Sequence, residues 1–335
     1  MKKDVIVGID VSKSWLDATV LMDGLKEDHW LRVSNTTAGF SKLVKWISRV
    51  SKTSSCDWLV CMEHTGYYSY QLNLFLQQNG IYQSMVNALA IKRSMGVVRG
   101  KNDKADSRII AQYAKRFYDR LQEYKLSSHS LQRLQVQLSQ RDRMIDLKQQ
   151  VVLSTESTSG LPEDMLKELK AQNRKLITQL NRNIAELDEL IQATIHTDTE
   201  MCRQVSRITS VPGIGLYTAA YIMVATRCMT RFSNSRKFAC YCGVAPFENS
   251  SGSSYKRKTR VHPLANKKLK SLLHMGALSA IQAVPDIRNY YQRKIGEGKN
   301  PMSVINAVRF KLIDRAFAVV KRDQNFEKVL PEKVA

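Results

Sequence analysis

Val5-Ile6-Val7-Gly8-Ile9-Asp10-Val11 is an apolar run of strand length with a carboxylate near its end. Two more strand-like runs follow, Leu16 to Met22 and Trp30 to Ser34, separated by Ser-Lys and Asp-Gly turns. Three strands joined by short turns predict a meander. Beyond it, Phe40, Leu43, Val44 and Ile47 recur at helical spacing, and Trp58-Leu59-Val60-Cys61-Met62-Glu63 reads as a buried strand. Tyr68 to Asn79 reads as a helix stopped by Gly80, Ile81 to Val86 as a fifth strand, and Lys104 to Phe117 as a helix with Ile109, Ile110 and Tyr113 on its apolar face. The order β-β-β-α-β-α-β-α predicts a mixed sheet covered by helices.

The acids fall at the ends of these elements. Asp10 lies near the end of the first strand and Glu63 ends the fourth, while Asp103 and Asp106, three residues apart, share one face of a helix's first turn. Four carboxylates converging above a sheet repel one another unless cations lie between them. An oxygen-only ligand set suits Mg²⁺, and the chemistry such a set serves is metal-assisted phosphoryl transfer. Each acid also has a plainer reading: Asp10 as a turn cap, Asp103 as a helix N-cap, Glu63 as an exposed strand end.

Composition supplies the partner. The chain has 335 residues, 52 Lys+Arg against 30 Asp+Glu, a formal charge of +22 and 43% hydrophobic residues, which predicts a folded protein that meets a polyanion, nucleic acid above all. No apolar run approaches the roughly 20 residues that span a bilayer, and the N-terminus lacks the apolar core of a signal peptide. Six scattered cysteines predict reduced thiols and a cytoplasmic location. Cys240-Tyr-Cys242 has an unusual spacing for zinc.

From about Ser128 the texture changes to long polar helices with a break at Ser154 to Pro162. Leu166, Leu169, Leu176, Leu180, Leu187 and Leu190 fall on a three-four alternation completed by Asn173 and Asn183, which predicts a coiled-coil seam with two polar insertions. Heptads alone do not separate an intermolecular coil from an intramolecular helical hairpin. Next, Val211-Pro212-Gly213-Ile214-Gly215 precedes the helical run from Leu216 to Ala225. A Gly-x-Gly turn opening a helix offers backbone N–H groups to an anion, in the manner of a helix-hairpin-helix, with a plain tight turn as the alternative.

After the Gly243-Val244-Ala245-Pro246 turn comes Ser250-Ser251-Gly252-Ser253-Ser254, and then Lys256-Arg257-Lys258-Thr259-Arg260. Hydroxyls beside that much positive charge form a place where a serine could meet a phosphodiester, or an ordinary solvated loop. Further on lies Leu264-Ala265-Asn266-Lys267-Lys268-Leu269-Lys270.

Gly8-Ile9-Asp10-Val11-Ser12-Lys13, Glu63-His64-Thr65-Gly66-Tyr67-Tyr68 and Lys101-Asn102-Asp103-Lys104-Ala105-Asp106 resemble the three acidic blocks of the DEDD-type insertion-sequence transposases. That family includes the Piv invertases and the bridge-RNA-guided recombinases. The resemblance runs from Asp4 to about Lys321 and implies an RNase H-like (RuvC-like) α/β domain over 1–125 with Mg²⁺ at Asp10, Glu63, Asp103 and Asp106. It further implies a dimerising coiled coil over 126–200, and a mainly α-helical C-terminal domain over 201–335 with a helix-hairpin-helix. Pro246 followed by Ser251-Gly252 is similar to the family's C-terminal signature, and its catalytic serine falls on Ser251. Ala265 and Lys270 depart from the glycine and arginine usual in the Gly-Asn-basic-Leu-Arg block, and lysine lacks arginine's fork.

The expected function is therefore a mobile-element DNA recombinase working through a covalent phosphoserine at Ser251, with DNA gripped by Gly213, Gly215, Lys256, Arg257, Lys258, Arg260, Lys267, Lys268 and Lys270. The resemblance also implies a guide RNA and a homo-oligomer. A hydrolytic nuclease of the junction-resolvase type, whose serine loop only binds phosphate, and a non-catalytic nucleic-acid-binding protein are the alternatives.

Overall fold

Side chains alternate across a strand, so the first run sends Val5, Val7, Ile9 and Val11 to one side and Ile6, Gly8 and Asp10 to the other. In the computed structural model both sides are covered. Residues 3–23, 28–64, 66–94, 103–157, 160, 162–245, 247–251, 255–260 and 265–327 are described, with Asp103 and residues 247–251 and 255–260 followed by backbone alone. Contacts divide the chain into two units, Met1–Leu126 and Ser127–Ala335.

In the first unit the elements are β1 (Val5–Val11), β2 (Trp15–Met22), β3 (His29–Ser34), α1 (Thr37–Ser51), β4 (Trp58–Glu63), α2 (Tyr70–Gln78), β5 (Tyr82–Val86), α3 (Ala88–Ser94) and α4 (Asp103–Arg116). The described strands form a mixed five-stranded sheet in the order β3-β2-β1-β4-β5. β1–β2 and β2–β3 are antiparallel, β1–β4 and β4–β5 parallel. The expected meander and mixed sheet are both present.

One sheet face packs Val7, Ile9, Leu16, Val60 and Met62 against Phe40, Leu43 and Ile47 of α1 and Leu72 and Leu76 of α2. The opposite face packs Ile6, Leu59 and Cys61 against Ile110 and Ala114 of α4. Gly8 lets α4 lie directly on β1. A Cβ there would come within 2.7 Å of the Ala111 Cβ and closer still to the Ser107 carbonyl oxygen and the Ala111 amide. The buried Ser107 and Thr19 hydroxyls hydrogen-bond at 2.8 Å, joining α4 to β2.

The second unit holds α5 (His129–Glu156), α6 (Glu163–Thr197), α7 (Thr199–Thr209), α8 (Leu216–Thr226), α9 (Ser235–Tyr241), β6 (Phe247–Ser251), β7 (Tyr255–Arg260), α10 (Lys267–Ala283), α11 (Pro285–Gly296) and α12 (Pro301–Arg322). Its core gathers Leu134 and Leu138 of α5, Ile191 of α6, Val205, Ile222, Phe238, Leu273, Val308 and Leu312.

α5 and α6 fold back on each other within one chain. Arg141 pairs with Asp188, and Asn173 Nδ2 donates to Thr155 Oγ1 at 2.7 Å near the turn. Toward α5 the long helix buries Leu180 and Ile191 and half-buries Ile177 and Ile184. Leu176 and Leu190, also on the leucine alternation, remain 48% and 45% exposed. The isoleucines at 177, 184 and 191, each one residue after an alternation position, are buried or half-buried alongside Leu166, Leu169, Leu180 and Leu187.

The serine stretch differs from a loop. Ser250 and Ser251 lie in β6, opposite Lys256 and Tyr255 of β7 in an antiparallel ribbon with a register shift between Phe247 and Asn249. Phe247, Tyr255 and Thr259 are strand formers, but the polar, serine-rich stretch between Phe247 and Tyr255 hides the strand signal.

Candidate active site and nucleic-acid interface

The site in the first unit begins at the paired ends of β1 and β4. Gly8 is level with Cys61 and Ile9 with Met62, so one further step along these parallel strands sets Asp10 beside Glu63, on strands about 4.8 Å apart. Alternation puts both acids on the face that α4 covers, shared with Gly8 and Cys61. Both are half-buried, as is Asp106. Asp106 directly precedes Ser107, the residue anchored to Thr19, so the close approach at Gly8 brings the first turn of α4 over the same face. The Asp103 side chain lies outside the described residues, as do Lys101 and Asn102.

A fifth acid was not singled out by sequence reasoning. Asp17 is the register partner of Asp10 across β1–β2 and is 3% exposed. Arg32 of β3 holds it through Nη2 at 3.0 Å and Nε at 3.0 Å, and Trp30 Nε1 donates to it at 3.1 Å. The only sequence signal for this arrangement is an acid in a strand pattern with an arginine in the next strand.

Exposed aromatics were also missed. Trp15 opens β2, and Tyr67 and Tyr68 follow Glu63; they are 50%, 67% and 51% exposed. Asn35 Nδ2 donates to the carbonyls of Ser12 and Tyr68, at 2.9 and 3.0 Å, tying the turn after β1 to the turn before α2. Solvent-facing aromatic rings are surfaces on which unpaired bases can stack.

Among the described residues no three His, Cys, Asp or Glu groups are placed to hold a metal ion. The oxygen-only donor set nevertheless fits Mg²⁺, which binds through one or two carboxylates and completes its shell with water and substrate phosphate.

In the second unit, Val211 to Gly215 is the turn between α7 and α8. Gly213 has φ +94°, and a Cβ on it would come within 2.5 Å of the Gly276 carbonyl of α10. Gly213 is thus a packing residue. Gly215 is the N-cap of α8, is exposed, and has nothing within 4 Å of where a Cβ would stand, so its backbone faces open space.

Asn266 caps α10, its Oδ1 accepting from Leu269 N at 3.0 Å while its Nδ2 donates to the Tyr241 hydroxyl at 3.1 Å. Lys267, Lys268 and Lys270 then occupy the first turn, where no acid stands and where the helix dipole disfavours positive charge. Lys268 is engaged within the protein, 2.6 Å from Asp142, which also accepts from the Tyr221 hydroxyl. Lys267 is exposed and Lys270 half-buried. The side chains of Ser251, Lys256, Arg257, Lys258 and Arg260 lie outside the described residues, as do Gly252, Ser253 and Ser254 entirely.

The root of the serine ribbon is fixed from α12. Asn306 donates to the Val244 carbonyl, three residues before β6. Arg309, 4% exposed, contacts Asn306 Oδ1 at 3.2 Å and His274 Nδ1. Burial first, and the Arg309 charge second, push the His274 imidazole below its usual range, so it receives the guanidinium as a neutral ring.

Comparison with known proteins agrees with this layout. A transposase model of the DEDD IS110 type matches residues 7–158, and the model of the transposase IS116/IS110/IS902 family matches 205–292. The chain is 27% identical over 330 residues to the pilin gene-inverting protein of Moraxella bovis, covering 97% of this chain and 98% of that one. It is 23% identical over 313 residues to the transposase for insertion sequence element IS1111A of Coxiella burnetii, covering 85% and 80%. A 127-residue stretch is 30% identical to an insertion element IS110 protein of Streptomyces coelicolor, covering 38% of this chain and 31% of that one. With one model on the carboxylate unit, another on the segment that includes the serine ribbon, and a relative matched nearly end to end, the chain belongs to the IS110-type transposase family.

Proposed function

We propose that this enzyme recombines the DNA of a mobile element through a covalent phosphoserine at Ser251. The observation that carries the reading is the placement of Asp10 and Glu63 at adjacent strand ends, on the sheet face covered by the helix that bears Asp106. The sheet order β3-β2-β1-β4-β5 supports an RNase H-like domain over 1–125.

Asp10, Glu63, Asp103 and Asp106 would hold Mg²⁺, which when bound supplies positive charge to the phosphoryl oxygens and to the attacking and leaving oxygens. Ser251 Oγ attacks phosphorus and gives up its proton, the bond from phosphorus to a deoxyribose oxygen breaks, and that oxygen leaves as a hydroxyl. A different strand's hydroxyl then attacks the phosphoserine, re-forming a phosphodiester and returning the proton to Ser251. One ester replaces another at each step, so no external energy source is required. Gly215, in a helix-hairpin-helix whose turn Gly213 packs onto α10, and the basic residues Lys256, Arg257, Lys258, Arg260, Lys267 and Lys270 of the 201–335 domain hold the backbone, while Lys268 stays paired with Asp142.

The half-exposed Leu176 and Leu190 support oligomerisation through a coiled coil within 126–200, and the charge of +22 suits a guide RNA as well as DNA. No described helix is long and apolar enough to cross a membrane.

The test is a nicked element-end substrate incubated with protein and Mg²⁺, followed by denaturing electrophoresis. A protein-linked DNA band is expected, absent from Ser251→Ala and from Asp106→Asn. Cleavage by Ser251→Ala at near wild-type rate would leave a hydrolytic nuclease, and no cleavage of nicked or branched DNA would leave a binding protein. RNA that co-purifies with the protein, when sequenced, should derive from the element. Random host RNA, with recombination insensitive to RNase, would remove the guide.

A further inference from the structure

The face shared by α11 and α12 carries positive charge that the protein itself does not neutralise. Lys311 and Arg315 stand one helical turn apart on α12. Neither forms an ion pair or hydrogen bond among the described residues, although their neighbours do so freely: Lys294 pairs with Glu297 at 2.6 Å and Asp314 accepts from Ser235 at 2.7 Å. The Lys311 ammonium lies 3.7 Å from the centre of the Tyr290 ring of α11, and the Arg293 guanidinium lies 6.0 Å from that centre. Arg315 leans on Phe326, 4.7 Å from its centroid, and its Nη1 is buried without a partner.

Both cations are half-buried. Desolvation, then the charges of Arg315 and Arg293, push the Lys311 ammonium below its usual range. Desolvation does the same to Arg315, opposed by Asp286, an acid that makes no ion pair with it. Arg293 is only loosely held, 3.9 Å from Glu297. Three converging cations, two of them partly stripped of water and one with an orphaned N–H, carry a cost that an anionic ligand removes. The cation on an aromatic face, with a guanidinium fork beside it, matches the chemistry of a phosphodiester.

We propose that Arg293 and Lys311 at the Tyr290 ring, with Arg315 one turn further along α12, form a phosphate-binding site for a nucleic-acid strand, additional to the serine ribbon and the first turn of α10. It rests on the reading that the chain acts on nucleic acid. The site takes a phosphodiester as such, and the strand can belong to DNA or RNA.

The test is equilibrium binding of the full-length protein to labelled duplex DNA and, separately, to an RNA of the same sequence, from about 50 to 200 mM salt. The variants are Lys311→Ala, Arg315→Ala, their combination, the charge-keeping Lys311→Arg and Arg315→Lys, and Lys42→Ala in the other unit as control. On the nucleic acid that uses the site, the double variant should bind roughly tenfold more weakly at the lower salt. Its slope of log affinity against log salt should flatten by about 1 to 2. The charge-keeping variants should retain the slope, which separates lost contacts from disturbed packing. Loss with DNA alone or RNA alone identifies the strand. Wild-type slopes in the double variant on both nucleic acids overturn the site while leaving the broader reading intact. Failure of the wild type to bind either one overturns both.

Discussion

Asp10 and Asp17 face each other across β1–β2 as direct register partners, and Arg32 pairs with the buried Asp17. Two like charges on one face of adjacent strands repel, and Arg32 offsets that repulsion from β3 by pairing with Asp17. The two substitutions should therefore separate stability from chemistry. Asp17→Asn should destabilise the protein by about 1–3 kcal/mol, seen as a lower Tm. Asp10→Asn, at a half-buried strand end, should cost less stability than Asp17→Asn and depress Mg²⁺-dependent cleavage by on the order of a hundredfold or more. Equal Tm losses in both would contradict this division of roles.

Gly8→Ala should act through α4. The added methyl meets main chain at Ser107 and Ala111, which cannot rotate away, so the helix must lift. A destabilisation of about 1–3 kcal/mol is expected, with cleavage falling further than the loss of folded protein explains, because Asp106 moves with the helix. Titrating Mg²⁺ against cleavage rate in the variant should show a raised half-saturating concentration.

The two glycines of the α7–α8 turn should respond differently. Gly213→Ala meets both a φ of +94° and the Gly276 carbonyl, and should lower stability by about 1–3 kcal/mol. Gly215→Ala enters open space, so thermal melts should barely register it. Any effect should appear in DNA affinity.

Thiol chemistry offers a pH test. Burial pushes Cys61 from 9.0 to about 12 and raises Cys242 as well, whereas Cys56 is exposed. A thiol-reactive dye at pH 8 should label Cys56 quickly and leave Cys61 and Cys242 unlabelled until denaturant is added. The folded state favours the protonated thiols, so their contribution is fully present below about pH 9. It is lost as pH rises from there through the folded value near 12 of Cys61. A melt series that showed rising stability across that window would contradict the burial.

The sheet, its connections and the ends that carry Asp10 and Glu63 were legible because period-two alternation and strand-terminal acids are local signals. Asp17 was not, since its meaning depends on Arg32, fifteen residues away and known as a neighbour only once β2–β3 is in register. The ribbon at Ser251 was hidden by its serines and basic residues, whose composition is that of a loop and whose pairing is cross-strand. Along α6 the leucine alternation predicts a seam, and the isoleucines at 177, 184 and 191, buried or half-buried beside it, lie outside that alternation.

Gly213 and Gly276 meet main chain to main chain, with no side chain between them. Side chains cushion a helix contact by changing rotamer; bare backbone has no such give. The α7–α8 turn and α10 are consequently coupled like parts of one lever, so under the proposed function a nucleic acid pulling on Gly215 would also tilt the helix whose first turn bears Lys267, Lys268 and Lys270. Widening the contact by one methyl would add play to that joint, and the two grips would no longer move in step.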